Sequence, residues 1–312
     1  MTQMFINFDL KIGFRCNNNC KHCVVANKRS TKDLSFSELQ SIVSTIPGGS
    51  VVQITGGEPT CYSILPSILE ECKKKNLYTV IQTNGTGFSD NDFLKECAPY
   101  LDHVHLAIHS CIPEIHDKIV EASGMWNKTI QGLENILDQG IEFTTQTVLS
   151  QYNISSLYDT FSFIQKKKPD TRMSMTYPHL MGNAYTNREE VAFRYSDYKD
   201  VIQKTLREFH THLFVESIPY CYLHPYVDQV ESLEKDILDP SYSRIGVDKS
   251  DGSSCKDYDT LNLQDHRKGP RCKECIYNNR CIGVWKEYIE LYRNKLDLYP
   301  ITKEQLNLGN NS

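Results

Sequence analysis

The sequence predicts an α/β fold: six βα units forming an open partial TIM-like barrel, followed by a small cysteine-rich C-terminal extension. Strand-like runs near 5–12, 51–55, 77–83, 103–109, 142–148 and 172–177 alternate with amphipathic stretches near 35–46, 62–75, 89–98, 127–138, 154–166 and 196–209. That order belongs to repeated βα units on a parallel sheet. The chain then changes character and carries five cysteines in its last third. This sets expected domains at 1–210 for the barrel and 211–312 for the extension. At 312 residues the chain can bury a full core and exceeds one typical domain.

Local signals support these elements. Ser35 followed by Glu38 makes a capping box for the first helix, and Ser89 or Asp90 can cap the third. In the fourth run, alternation sets Val104, Leu106 and Ile108 on one face and His103, His105 and His109 on the other. The apolar face should pack on helices and the histidines line the lumen, either as hydrogen-bonded residues or as chemical participants. Asp117 and His116 read as a helix start, where acids favour the dipole. Ligands of parallel α/β sheets collect at the carboxyl ends of the strands, so the segments following the first two strands should meet.

The net charge is −5, and no lysine-arginine tract with interleaved aromatics occurs, which makes nucleic acid a weak candidate substrate. No basic start with an apolar run and no eighteen-residue apolar window is present, so neither a secretory signal nor a membrane span is expected and a cytoplasmic location is. In that compartment twelve cysteines are poor candidates for disulfides.

Those two post-strand segments carry the chemistry. Cys16, Cys20 and Cys23 form a Cys-x3-Cys-x2-Cys run directly after the first strand. Three thiolates on one short loop can hold three irons of a cubane cluster and leave the fourth open; the bland alternative is a zinc loop, which usually has four closing ligands. The run resembles the signature of the radical S-adenosylmethionine (SAM) superfamily, with His22 in the aromatic slot. Gly56-Gly57-Glu58-Pro59, after Val51–Ile54, resembles the family's Gly-Gly-Glu-Pro, which holds the methionyl amino group of SAM. Glycines suit such a place because a ligand pressed against the backbone needs residues without a Cβ. Thr83-Asn84-Gly85 resembles a common Thr-Asn-Gly and sets Asn84 near SAM. Ala107-Ile108-His109-Ser110 stands where relatives carry a ribose-contacting Ser-Leu-Asp-Gly, which leaves His109 or Ser110 as candidates for that contact.

Pro113-Glu114-Ile115-His116-Asp117 and Gly124-Met125-Trp126 resemble the group with SPASM or twitch extensions, a peptide-modifying, maturase-like set. Cys272, Cys275 and Cys281 give the Cys-x2-Cys-x5-Cys spacing of an auxiliary-cluster segment. Cys221 is the expected fourth ligand and Cys255 the runner-up; a structural zinc ribbon is the alternative. Trp285 occupies a position where a full SPASM domain would bring another ligand, so one auxiliary cluster is expected. The resemblance implies two 4Fe-4S clusters and SAM as cofactors, cleavage to a 5′-deoxyadenosyl radical, and hydrogen abstraction from the substrate. An oxidised outcome such as a cross-link or thioether would use the auxiliary cluster; epimerisation would need an unligated thiol, for which Cys111 and Cys255 are the candidates.

The substrate implied is a ribosomally made peptide, with a small molecule such as a sugar, nucleotide or cofactor precursor as the alternative. The chain starts almost at its first strand, so a separate leader-peptide-binding protein is expected beside a flavodoxin- or ferredoxin-type reductant. The relative that makes the molybdopterin precursor ends in Gly-Gly and has a longer cysteine gap, unlike Cys275 to Cys281 and Asn310-Asn311-Ser312. A non-enzymatic iron-sulfur carrier or zinc scaffold would have no use for a SAM pocket.

Overall fold

The computed structural model describes residues 5–238, 242–247, 255–257 and 263–304. In chain order it opens with β1 (Phe5–Lys11), α1 (Phe36–Thr45), β2 (Val51–Thr55), α2 (Leu65–Lys74), β3 (Tyr78–Thr83), α3 (Asn91–Cys97) and β4 (His103–Ala107). It continues through α4 (Pro113–Val120), α5 (Met125–Asp138), β5 (Glu142–Val148), α6 (Leu157–Lys167) and β6 (Met173–Thr176). Short α7 (Asn183–Thr186) and α8 (Arg188–Val191) precede α9 (Lys199–Phe209) and β7 (Leu213–Glu216). β8 (Glu231–Ser232), β9 (Tyr242–Val247), β10 (Cys255–Asp257), β11 (His266–Arg267) and β12 (Val284–Trp285) complete the strands.

β1 to β6 pair in sequence order, all parallel. The sheet is wider than the six expected strands. β7 and β8 extend it beyond β6, β9 pairs in parallel with the free edge of β1, and β10 is antiparallel to β9. Nine parallel strands therefore curl into the partial barrel. The expected boundary near 210 falls just before β7, which continues the barrel sheet. Asp9, 4% exposed, pairs with Arg244 at 3.0 Å and joins the inner faces of β1 and β9.

Alternation gives each strand two faces. Val52, Ile54, Ile81, Val104, Leu106 and Phe143 are buried in the main apolar core with helix residues such as Leu39, Ile68 and Leu133. Polar side chains occupy the other face: Gln53 Nε2 donates to Gln82 Oε1 (3.2 Å), and Gln82 Nε2 donates to Gln146 Oε1 (2.6 Å). His103 and His105 share this face, with their rings edge to face at 5.2 Å. His109 lies beyond the end of β4 and packs elsewhere. The Ser35 and Glu38 capping box is formed, and Asp90 accepts the Asp92 and Phe93 amides to start α3. Between β4 and β5 the helix start expected at His116 and Asp117 falls inside a separate α4 that begins at Pro113, and left-handed Glu121 (φ +52°) and Gly124 (φ +76°) divide it from α5. Among the described residues no helix is long and apolar enough to cross a membrane.

Candidate functional site

Backbone pairing brings the first two motifs together. The β1–β2 contact continues past both strand ends: Gly57 N donates to Gly13 O (2.8 Å) and Glu58 N to Arg15 O (2.9 Å). A Cβ on Gly56, which has φ +127°, would stand 2.1 Å from Gly13 O, and one on Gly57 2.2 Å from Arg15 O. The glycines are therefore required by the chain's own backbone, which differs from the ligand-contact reason expected from sequence. Cys16 follows Arg15 directly, so this joint fixes where the cysteine loop begins.

Glu58 is the hub. It is 2% exposed, and its Oε1 accepts from Thr60 N (3.0 Å), Thr60 Oγ1 (2.7 Å) and Thr83 Oγ1 (2.6 Å). Its Oε2 accepts from Asn84 N (2.7 Å) alone, leaving capacity for a further donor. Burial raises the carboxyl's pKa, against the lowering effect of these donors. Asn84 Nδ2 donates to Asn17 Oδ1 (2.9 Å), and Asn17 Nδ2 donates to Thr86 Oγ1 (2.7 Å), so the β3 turn reaches the cysteine loop.

Cys16, Cys20 and Cys23 are half-buried free thiols. Cys20 feels both neighbours electrostatically; burial raises its pKa, and burial pushes Cys16 up to about 11. The loop is held from two sides. Asn19 N and Lys21 N donate to Val120 O and Ile119 O at the end of α4 (both 2.9 Å), while Asn183 N donates to Cys23 O (2.9 Å) and Asn183 Nδ2 to Cys20 O (3.0 Å). Lys21 Nζ pairs with Glu121 (3.2 Å) and Glu190 (3.0 Å). Buried Asn18 Nδ2 and Oδ1, His22 Nδ1 and Arg29 Nη2 have no hydrogen-bond partner among the described residues. Three soft sulfur donors beside polar atoms left unpaired inside the protein are what an iron-sulfur group with a polar ligand requires. The residues fit it.

His22 meets His109 edge to face at 4.5 Å, and His109 stacks on His116 at 5.6 Å while its N–H donates to His116 Nδ1 (3.3 Å). Burial lowers all three pKa values, those of His22 and His116 to about 4. The row links the cysteine loop to α4, and sequence reasoning missed it because His116 looked only like a helix start. Ser110 is fully buried; its Oγ accepts Ile112 N (3.0 Å) and its carbonyl accepts Trp126 Nε1 (3.2 Å). Asp117 accepts Gly124 N and Trp126 N and so caps α5. Cys111 is half-buried, with its N–H donating to Thr160 Oγ1 of α6 (3.1 Å).

The C-terminal cysteines also converge. Cys221, Cys272, Cys275 and Cys281 line one hollow with Tyr277, Gly283 and Tyr299. Burial raises the Cys221 pKa, followed by the charge of Cys281; Cys272 and Cys275 add to it. Among the described residues no three His, Cys, Asp or Glu side chains stand close enough together to hold a single metal ion. Cys255 opens β10, opposite Val247 of β9; its side chain lies outside the described residues.

Comparison with known proteins agrees. Residues 10–164 match the Radical SAM superfamily model. The Fe-coproporphyrin III synthase of Methanosarcina barkeri is 27% identical over 159 residues, 49% of this chain and 39% of that protein. The probable GTP 3′,8-cyclase of Sulfurisphaera tokodaii is 27% identical over 200 residues, 62% and 61% of the two chains. The PqqA peptide cyclase of Rhizobium meliloti is 23% identical over 179 residues, 56% and 48%. The matches thus span from about two fifths to three fifths of these relatives' lengths. In fold, the chain is similar to anSMEcpe with bound AdoMet (TM-score 0.64, 16% identity, 99% and 96% covered). It is also similar to Streptococcus suis SuiB bound to precursor peptide SuiA (TM-score 0.62, 15% identity, 97% and 76% covered). With the cysteine loop and the Glu58 hub inside the matched residues, the chain belongs to the radical SAM superfamily.

Proposed function

We propose that the chain is a radical SAM enzyme that modifies a peptide. In this reading Cys16, Cys20 and Cys23 hold a 4Fe-4S cluster with one iron open to SAM. Gly56, Gly57, Glu58 and Asn84 bind SAM around the methionyl amino group, and His22, His109 and Ser110 stand on the side of its ribose and adenine. A cluster held there would, on receiving one electron from an external reductant, supply reductive cleavage of SAM and with it a carbon radical able to take hydrogen from an unactivated carbon. The chain's own residues orient and exclude water. Glu58 offers the remaining acceptor capacity of Oε2, the glycine joint keeps that acceptor beside the cysteine loop, and the buried histidine row keeps the loop's inner side dry.

The observation that carries this reading is the pair of hydrogen bonds from Gly57 and Glu58 to the residues just before Cys16. The test is anaerobic reconstitution with iron and sulfide, then SAM and dithionite. Release of 5′-deoxyadenosine is expected, and its loss when Cys16, Cys20 and Cys23 are changed together to Ala. No release from fully loaded protein, as from a mere electron carrier, would overturn the proposal.

A peptide substrate is supported by the likeness to the PqqA peptide cyclase and to SuiB with its precursor peptide. The synthase and GTP cyclase matches favour the second reading, a small-molecule substrate. For residues 211–312 we propose a twitch-like domain whose Cys221, Cys272, Cys275 and Cys281 hold a second 4Fe-4S cluster. The convergence of these four thiols on one hollow, together with the Cys-x2-Cys-x5-Cys spacing, supports this reading. Cys111 remains the candidate hydrogen-atom donor if the outcome is redox-neutral, with Cys255 as the other candidate. A separate leader-peptide-binding protein and an external reductant complete the proposed partners.

A further inference from the structure

Lys21 and Arg29 bring positive charge to the cysteine loop, and the two are used differently. Lys21 is neutralised by Glu121 and Glu190. Arg29 pairs with no acid among the described residues, and its guanidinium is anchored on one arm only: Nη1 donates to Asn19 Oδ1 (2.9 Å). That anchor is itself fixed, since Asn19 Nδ2 donates to Glu121 Oε2 (2.6 Å) and Asn19 Oδ1 also accepts Asn183 Nδ2 (3.2 Å). The other arm, Nη2, is closed off from solvent and meets no acceptor among the described residues. A donor buried in this way calls for an acceptor.

The charge of Arg29 reaches the thiols. Burial is the largest influence on Cys16 and Cys20 and raises the pKa of both, while Arg29 acts the other way on each and favours thiolate. At Cys16 the carboxylate of Glu58 opposes it. The loop also supplies hydrogen bonds to sulfur, because Asn18 N donates to Cys16 Sγ (3.4 Å). An iron-sulfur group on these thiolates gains one negative charge on reduction, and its potential follows net charge and the hydrogen bonds to its sulfurs. A cation without a counter-charge, in a half-buried place where charges act more strongly than in water, favours the reduced form.

We propose that Arg29 tunes the iron-sulfur group of the Cys16, Cys20 and Cys23 loop: Nη2 donates to one of its sulfurs, and the guanidinium charge raises its one-electron reduction potential. Arg29 is then neither a metal ligand nor a contact of SAM but a positioning residue that acts through sulfur. This rests on the radical SAM reading above.

The experiment is a dithionite titration of iron-loaded protein without SAM, followed by electron paramagnetic resonance. The signal to follow is the one that disappears when Cys16, Cys20 and Cys23 are changed together to Ala. Arg29→Gln and Arg29→Met should each move the reduction equilibrium about tenfold toward the oxidised form, ~59 mV for one electron, at unchanged iron content. Arg29→Lys keeps the charge and should recover most of that shift, which a merely structural guanidinium would not allow. Arg207→Gln, on exposed α9, removes the same net charge and should move nothing. No shift in the two neutral variants, an equal shift in the Lys variant, or an equal shift in Arg207→Gln overturns the proposal. Loss of iron from both neutral variants also overturns it, because Arg29 would then hold the loop rather than tune it. An unmodified protein without any signal that depends on Cys16, Cys20 and Cys23 would instead fail the underlying radical SAM reading, and the tuning proposal with it.

Discussion

Replacing Glu58 by Gln exchanges one carboxylate oxygen for an NH₂ group of the same size in a site built only of donors. If the NH₂ takes the place of Oε2, it faces the Asn84 N–H; if it takes the place of Oε1, it faces the Thr60 N–H and the Thr60 and Thr83 hydroxyls. Hydroxyls can turn away, but backbone N–H groups cannot. The cheaper orientation therefore sacrifices the Asn84 bond and leaves a buried N–H unpaired, at about 1–3 kcal/mol. The three remaining bonds lose their charge assistance, while relief of the buried charge offsets part of that. We expect Glu58→Gln to lower unfolding stability by about 2–4 kcal/mol. Thr83→Val should cost about 1–2 kcal/mol, because the hydroxyl donates to Glu58 and also accepts Gly85 N at 3.0 Å. Urea denaturation of cluster-free protein measures both without SAM, and equilibrium dialysis of SAM against loaded protein should then show weaker binding for the Gln variant. A Gln variant as stable as the parent would refute the reasoning, because the four donors would then not depend on a carboxylate.

Three further expectations use other parts of the site. Gly57→Ala should cost about 3 kcal/mol, since its Cβ would meet backbone at Arg15 and Phe14; Gly140→Ala, with φ +66° and nothing within 4 Å, should cost only about 1 kcal/mol in the same thermal melts. Burial holds His116 at about 4 in the folded protein, against 6.5 ordinarily. The unfolded chain therefore binds the proton first, and stability should fall as pH drops from 6.5 to 4, with His116 contributing about 3 kcal/mol and the lowered His22, His105 and His109 steepening the fall; His116→Gln should remove its share and make the slope shallower in urea titrations at several pH values. Iron analysis of reconstituted protein should give about eight irons per chain, falling to about four for Cys221→Ala and staying at about eight for Cys255→Ala; the reverse result would exchange the two cysteines as fourth ligand.

The legible parts of this chain are those with local causes. Alternation in Val51–Thr55 and His103–Ala107 predicts which side chains are buried, and burial follows it residue by residue. The Ser35 box needs only its own turn. What escaped the sequence is long-range. β4 stops at Ala107 because Thr147 Oγ1 donates to Ile108 O (2.7 Å) and His116 Nδ1 accepts the His109 N–H, so side chains from other elements take over the ladder's bonds. No local pattern announces that β9 pairs with β1, since that edge contact joins chain ends more than two hundred residues apart. The same limit hid the Asn183 contacts to the cysteine loop, which arise from a turn after β6.

The glycines of the Glu58 motif show why a correct motif can be read for an incomplete reason. Their missing side chains admit the Gly13–Arg15 backbone, so the motif is first a joint and only then the edge of a ligand pocket. Asn84 closes the arrangement, because its N–H holds Glu58 and its side chain holds Asn17 in the cysteine loop. The ends of β1, β2 and β3 are thereby tied to one another by backbone and amide bonds rather than by flexible ion pairs. Thiols on the first strand end and a carboxylate on the second cannot move apart without breaking bonds to the third. Such coupling predicts that substitutions at Gly57, Glu58 and Asn84 will not add independently, since each removes part of one shared network. A site that must hold an open iron and an amino acid's amine in fixed relation gains from that rigidity, and the rigidity is built before either ligand arrives.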